Sequence, residues 1–156
     1  MKKILCCFLM LLCIFSSACA EDLYESSRLT FEDGFTLSLP SDWVSYALSP
    51  ELAEAGYIYC LGSADSSQLM YIQRWASDMT SIDDLAASLE ARDEIENPIT
   101  GMSDSGHPFL MYNFADRDAS GCMQLFDGSI LNFIFTPQSS NDLMLTAAFL
   151  IATAQF

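Results

Sequence analysis

Three β-prone runs follow one another late in this chain, Phe109–Phe114, Cys122–Phe126 and Ile130–Phe135, and they constrain its fold more than any other feature. Asp127-Gly128 between the last two is a preferred two-residue hairpin dipeptide, because both central positions of such a turn take positive φ. Connections this short join antiparallel neighbours, so the segment predicts a meander and not a parallel sheet. Earlier runs repeat the theme. Arg28–Phe31 and Phe35–Leu39 flank Glu32-Asp33-Gly34, and Tyr57–Leu61 and Leu69–Trp75 flank a Gly/Ser/Asp-rich stretch at 62–67. Ser49-Pro50-Glu51 has the chemistry of a helix start, with a capping hydroxyl and a proline in the first turn, and Gly56 ends that helix early. Ile82–Ala91 is the clearest helix: Ser81 caps it, Asp84 stands three residues later, and Ile82, Leu85, Ala86 and Leu89 share one face. Pro98, Gly101 and Gly106 mark the stretch that follows as a polar connection. Pro137 closes the last strand, and Asp142–Ala154 predicts an apolar final helix. This order predicts the α+β class: an antiparallel sheet flanked by helices, in a single domain.

The N-terminus reads as an address. Lys2-Lys3, an apolar run from Ile4 to Phe15 and then Ser16-Ser17-Ala18-Cys19-Ala20 have the order of an export signal. The run is twelve residues long, against about twenty for a permanent membrane helix. Two outcomes stay open. Ala18-Cys19-Ala20 suits cleavage before Glu21, which releases a diffusible protein. Ser16-Ser17-Ala18-Cys19 reads as a permissive lipobox, which would attach diacylglycerol to Cys19 and tether the protein to the membrane. The polar residues 21–27 then form a short spacer, and 28–156 the folded domain.

The chain carries twenty-one acidic residues against six basic ones, a formal net charge of −15. Both lysines lie in the signal, so its removal leaves Arg28, Arg74, Arg92 and Arg117 and lowers the charge by two, to −17. Nucleic-acid binding requires basic side chains to neutralise phosphates, and this composition excludes it. Electrostatic attachment to an anionic membrane fails for the same reason, which leaves a lipid on Cys19 as the route to a membrane. The acids are scattered, as on a solvated surface that keeps an exported protein soluble; the sharper alternative is a cationic partner or bound metal ions. Cys60 and Cys122 are the disulfide candidates in the mature chain. Both sit in apolar strand-like runs, where a thiol also serves as a small buried hydrophobe, and that reading is favoured.

The segment Gly34-Phe35-Thr36-Leu37-Ser38-Leu39-Pro40-Ser41-Asp42-Trp43 resembles the G-F-x-L-x-x-P-x-x-W opening of the PsbP-like domain. Asp127-Gly128-Ser129-Ile130-Leu131-Asn132-Phe133-Ile134-Phe135-Thr136-Pro137, with a helix after it, is similar to the closing half of small exported bacterial members of that family. The resemblance implies an α/β/α sandwich and non-enzymatic roles. It brings no catalytic residues with it.

Three constellations invite chemistry. Asp116-Arg117-Asp118-Ala119-Ser120-Gly121 matches the first half of a calcium loop, with Asp127 at its twelfth position. Strand-like flanks, the charge of Arg117 and the short Asp127 side chain favour a plain interstrand loop. His107 is the sole histidine. A hydrolase would need it to activate Ser103, Ser105 or Cys60 as general base, yet no Gly-x-Ser-x-Gly elbow is present. A turn histidine beside Pro108 is the favoured reading. Trp43, Trp75, Tyr57, Tyr59, Tyr71 and Tyr112 could line a groove, although alternating aromatics are more often half-buried sheet residues. Alternation puts Tyr57 and Tyr59 on one face of their strand, which makes Tyr57, Tyr59 and Trp75 the candidate binding surface. The expectation is an exported, acidic, non-enzymatic binding or accessory domain at the bacterial cell envelope, with no cofactor. Its alternatives are a calcium-stabilised structural domain and a small hydrolase; partner and oligomeric state stay open.

Overall fold

The computed structural model describes residues 26–31, 34–102, 106–126 and 128–155. The chain is mostly antiparallel β with a few short helices, and it divides into two compact units. The export segment with Cys19 lies outside the described residues, as does the spacer up to residue 25.

The first unit runs to Ser41 and resumes at Leu145. Its strands β1 (Ser26–Thr30) and β2 (Thr36–Pro40) pair antiparallel, from Ser26 opposite Pro40 to Thr30 opposite Thr36. Gly34 takes φ +87° beside the connecting turn, a conformation that costs glycine little. Phe31 stacks on Phe35 with ring centroids 5.4 Å apart. Strand alternation sends Phe35, Leu37 and Leu39 to one buried side; the final helix contributes buried Ala147 and Leu150, and Ala154 just past its end is buried too. The end of the chain is stitched to the hairpin: Thr36 and Gln155 exchange backbone hydrogen bonds of 2.7 and 2.9 Å. The Ser38 N–H donates to Thr153 Oγ1 at 3.3 Å, and Arg28 donates to both Thr36 Oγ1 and Gln155 Oε1.

The second unit, Asp42–Met144, is built on a seven-stranded antiparallel sheet. Its chain order is β3 (Trp43–Tyr46), α1 (Pro50–Glu54), β4 (Tyr57–Ser63), β5 (Leu69–Ala76) and α2 (Ile82–Glu90), then β6 (Ile95–Met102), β7 (Pro108–Phe114), β8 (Ser120–Phe126) and β9 (Ser129–Thr136). In space the order is β3-β4-β5-β9-β8-β7-β6. Two meanders therefore meet at the β5–β9 ladder, where Leu69 faces Thr136 and Ala76 faces Ser129. The last helix, α3 (Asn141–Thr153), follows β9. No helix among the described residues is long and apolar enough to cross a membrane.

Register assigns each side chain to a face, because neighbours along a strand alternate. Tyr71, Gln73 and Trp75 of β5 stand on the front face with Ile130, Asn132 and Ile134 of β9 and Leu110 and Tyr112 of β7. The back face carries Met70, Ile72, Leu131, Phe133 and Phe135, all buried. Helix α2 covers part of the front: Leu85 and Leu89 join a buried cluster with Leu110, Tyr112, Met123, Leu125 and Ile130. Ser81 caps this helix by accepting from the N–H groups of Asp83 and Asp84.

β6 was expected as a connection and is a strand. It forms the far edge of the sheet, where a proline withholds no needed ladder donor. Its register shifts between Glu96 and Ile99, and Asn97 takes φ +51°, so Pro98 sits within a bulge.

Candidate functional site

A bulge in β4 decides which aromatic residues can act together. Tyr57 lies opposite Gln73, but Tyr59 lies opposite Ile72, so one extra residue separates the two registers. Tyr57 therefore stands on the front face and Tyr59 on the back, and the expected shared face does not form. Trp75 keeps company with Tyr57 on the front face, two residues beyond Gln73, and is 38% exposed. The residue that approaches Tyr57 is Tyr71, with ring centroids 5.7 Å apart and planes at 71°.

These two rings open into a shallow groove of about 280 Å³ on the front face. Leu52 of α1 and Ile134 of β9 supply apolar wall, and Thr136 adds a hydroxyl at the end of β9. The β7–β8 loop contributes Arg117, Asp118 and Ala119. The Arg117 guanidinium lies 3.9 Å from the Phe114 ring centroid, and its Nε is 3.4 Å from Asp116 Oδ1. The Asp118 carboxylate accepts from the Ser139 N–H at 3.0 Å and the Ser139 hydroxyl at 3.2 Å. Its carbonyl accepts from Thr136 Oγ1 at 2.9 Å, which fixes the loop to the end of β9.

Beside the groove runs a polar chain that is buried at Tyr112 and Asn132 and reaches the surface at Ala55. Tyr112 Oη donates to Asn132 Oδ1 at 2.9 Å, Asn132 Nδ2 to Gln73 Oε1 at 3.0 Å, and Gln73 Nε2 to the Ala55 carbonyl at 3.3 Å. Tyr112 and Asn132 are each 3% exposed and stand on β7 and β9, with β8 between them. The ring spans that gap because its direct partner is Gly121: a Cβ there would lie 2.1 Å from Tyr112 Cζ. Burial pushes the Tyr112 phenol up, out of the usual tyrosine range. Burial also raises the Tyr71 phenol, and its contact with the Cys60 thiol adds to the shift.

Cys60 and Cys122 are both free and buried, as the favoured small-hydrophobe reading has them, and the disulfide alternative does not form. They stand on β4 and β8, three strand spacings apart, or about 14 Å, and on opposite faces of the sheet. A disulfide needs Cα atoms within about 7 Å. Burial raises both thiols, Cys122 to about 12.

The described members of the calcium constellation do not converge. Asp116 turns to Arg117, Asp118 to Ser139, and the Ser120 hydroxyl donates to Asn113 Oδ1 at 3.0 Å; Asp127 lies outside the described residues. Among the described residues no group of three or more His, Cys, Asp or Glu is placed to hold a metal ion. His107 is half-buried between Gly106, at φ +81°, and Pro108 at the start of β7. Cys60 is four strands away, about 19 Å, and cannot be its nucleophile; Ser103 and Ser105 lie outside the described residues.

Sequence reasoning named Tyr57, Trp75 and Tyr71 as aromatic candidates but missed the contribution of Leu52, Ile134 and the β7–β8 loop. The β5–β9 pairing that brings them together is non-local and leaves no mark in either segment alone. No protein-family model and no curated protein matches the chain.

Proposed function

We propose that this chain is an exported, acidic, non-enzymatic binding or accessory module of the bacterial cell envelope, with the PsbP-like α/β/α sandwich as its architecture. Its binding surface is the tyrosine-lined groove on the front face. The observation that carries this reading is the unequal cover of that face. Around Leu110, Met123 and Ile130 it is closed by α2, whereas Tyr57 and Tyr71 are left half-exposed over a groove. Partly exposed aromatics over a rigid sheet are what binding hot spots are built from, since they offer contact area with little ordering cost. The N-terminal pattern supports export, and Cys19 decides between a diffusible and a tethered form.

The test is complex formation with native envelope extract. Tagged mature protein elutes from gel filtration in a larger species, Tyr57→Leu returns it to its free elution volume, and Glu90→Ala on α2 has no effect. Co-elution that survives Tyr57→Leu would move the binding surface elsewhere.

A further inference from the structure

Resting on the binding reading above, we infer that the groove receives a cationic side chain, arginine or lysine, presented by a partner protein. Size argues for a single side chain. The groove measures about 280 Å³ and is open to solvent, at the foot of the range of about 300 to 1,000 Å³ for pockets that enclose drug-sized molecules. An anchor residue on a larger partner fits this space, and arginine is among the residues that most often serve as such anchors.

The walls argue for positive charge. In the near-perpendicular arrangement of Tyr57 and Tyr71, the ring that offers its edge keeps its own faces clear of its partner. Aromatic faces attract cations through their quadrupole. The same loop already demonstrates this chemistry: Arg117 lies over Phe114 with a carboxylate beside it. The bordering segments are acidic. Helix α1, which supplies Leu52, carries exposed Glu51 and Glu54, and the β7–β8 loop carries Asp116 and Asp118. Arg117 is the single base in these two segments, and it is engaged by Asp116. Glu51, Glu54 and Asp118 are left without a counter-charge there. Their Ser49 and Ser139 hydrogen bonds hold Glu51 and Asp118 in place but do not neutralise them. Glu51 and Glu54 flank Leu52 in α1, and Asp118 itself lines the groove. The whole chain, at −15, adds a long-range field of the same sign. An anionic ligand would meet the repulsion of that field.

The experiment is isothermal titration of the mature protein with three blocked ten-residue peptides of the same neutral background. One has a central arginine, one a central citrulline and one a central glutamate; spermidine is the small-cation control. The arginine peptide binds at least about tenfold more tightly than the citrulline peptide, and added salt weakens it. Tyr57→Leu loses this preference and Tyr57→Phe, which keeps the ring face, retains it; the two variants give superimposable circular dichroism. Equal affinity for arginine and citrulline, binding by none of the peptides, or a preference that survives Tyr57→Leu overturns the inference. Spermidine binding as tightly as the arginine peptide overturns the partner-protein part of it. None of these outcomes touches complex formation with envelope extract, so the binding reading stands or falls separately.

Discussion

Gly121→Ala tests the packing that shapes the front face. The new Cβ would lie 2.1 Å from Tyr112 Cζ, 2.4 Å from its oxygen and 2.5 Å from Cε1. Carbon atoms prefer about 3.5–4.0 Å, so the ring must retreat by roughly 1.5 Å. That movement breaks the 2.9 Å hydrogen bond to Asn132, which is 3% exposed and cannot recruit bulk water in its place. Overpacking costs about 1–3 kcal/mol. An unsatisfied buried polar atom costs about 1–3 kcal/mol more, and the lower chain entropy of alanine when unfolded returns about 0.4–1 kcal/mol. The net loss is about 1–5 kcal/mol, read as a lower midpoint in equilibrium urea unfolding with an unchanged slope. In a Tyr112→Leu background the same substitution costs much less, because no ring occupies the space. A loss below about 0.5 kcal/mol, or additivity of the two changes within about 0.5 kcal/mol, would refute the packing argument.

Cys60 and Cys122 are expected to stay reduced after air purification, so the intact mass carries both thiol hydrogens and a thiol reagent labels them only after denaturation; a mass two hydrogens lower contradicts the strand separation. Burial raises the Cys122 thiol to about 12, so its neutral form contributes stability below its unfolded value near 9, and that contribution is lost as pH rises toward 12. Cys122→Ala is therefore expected to reduce the alkaline slope of stability above pH 9 in urea titrations. Asp65 is held at about 2 by the Ser67 N–H and the Ser63 and Ser67 hydroxyls. A depressed carboxyl contributes stability above its ordinary 3.8 and loses it as pH falls through about 2, so NMR titration should find the Asp65 carboxyl titrating well below 3.8. A midpoint near 3.8 refutes that hydrogen-bond geometry.

The local elements were legible because their signals are local. The Ser49 and Ser81 caps, the 82–90 helix, the β1–β2 and β4–β5 hairpins and the β7–β8–β9 meander each follow from side chains within a few residues. What escaped depends on distant partners. Pro98 and Gly101 look like breakers until β7 lies beside them as the inner neighbour of an edge strand. Period-two alternation placed Tyr57 with Tyr59, and a single bulged residue in β4 reverses that assignment. The groove likewise needs β9 beside β5, a pairing that joins residues 69–76 to 129–136. Tyr57 and Tyr71 were legible as aromatic candidates, whereas their neighbours Ile134 and Arg117 are set by sheet order.

Site-directed photo-crosslinking tests the central claim most directly. A photoreactive phenylalanine analogue is placed at position 57 in the groove, or at position 90 on the exposed side of α2, and living cells are irradiated. The account predicts a discrete crosslinked envelope species from position 57 and none from position 90. Crosslinks from position 90 alone, or identical products from both, would contradict it.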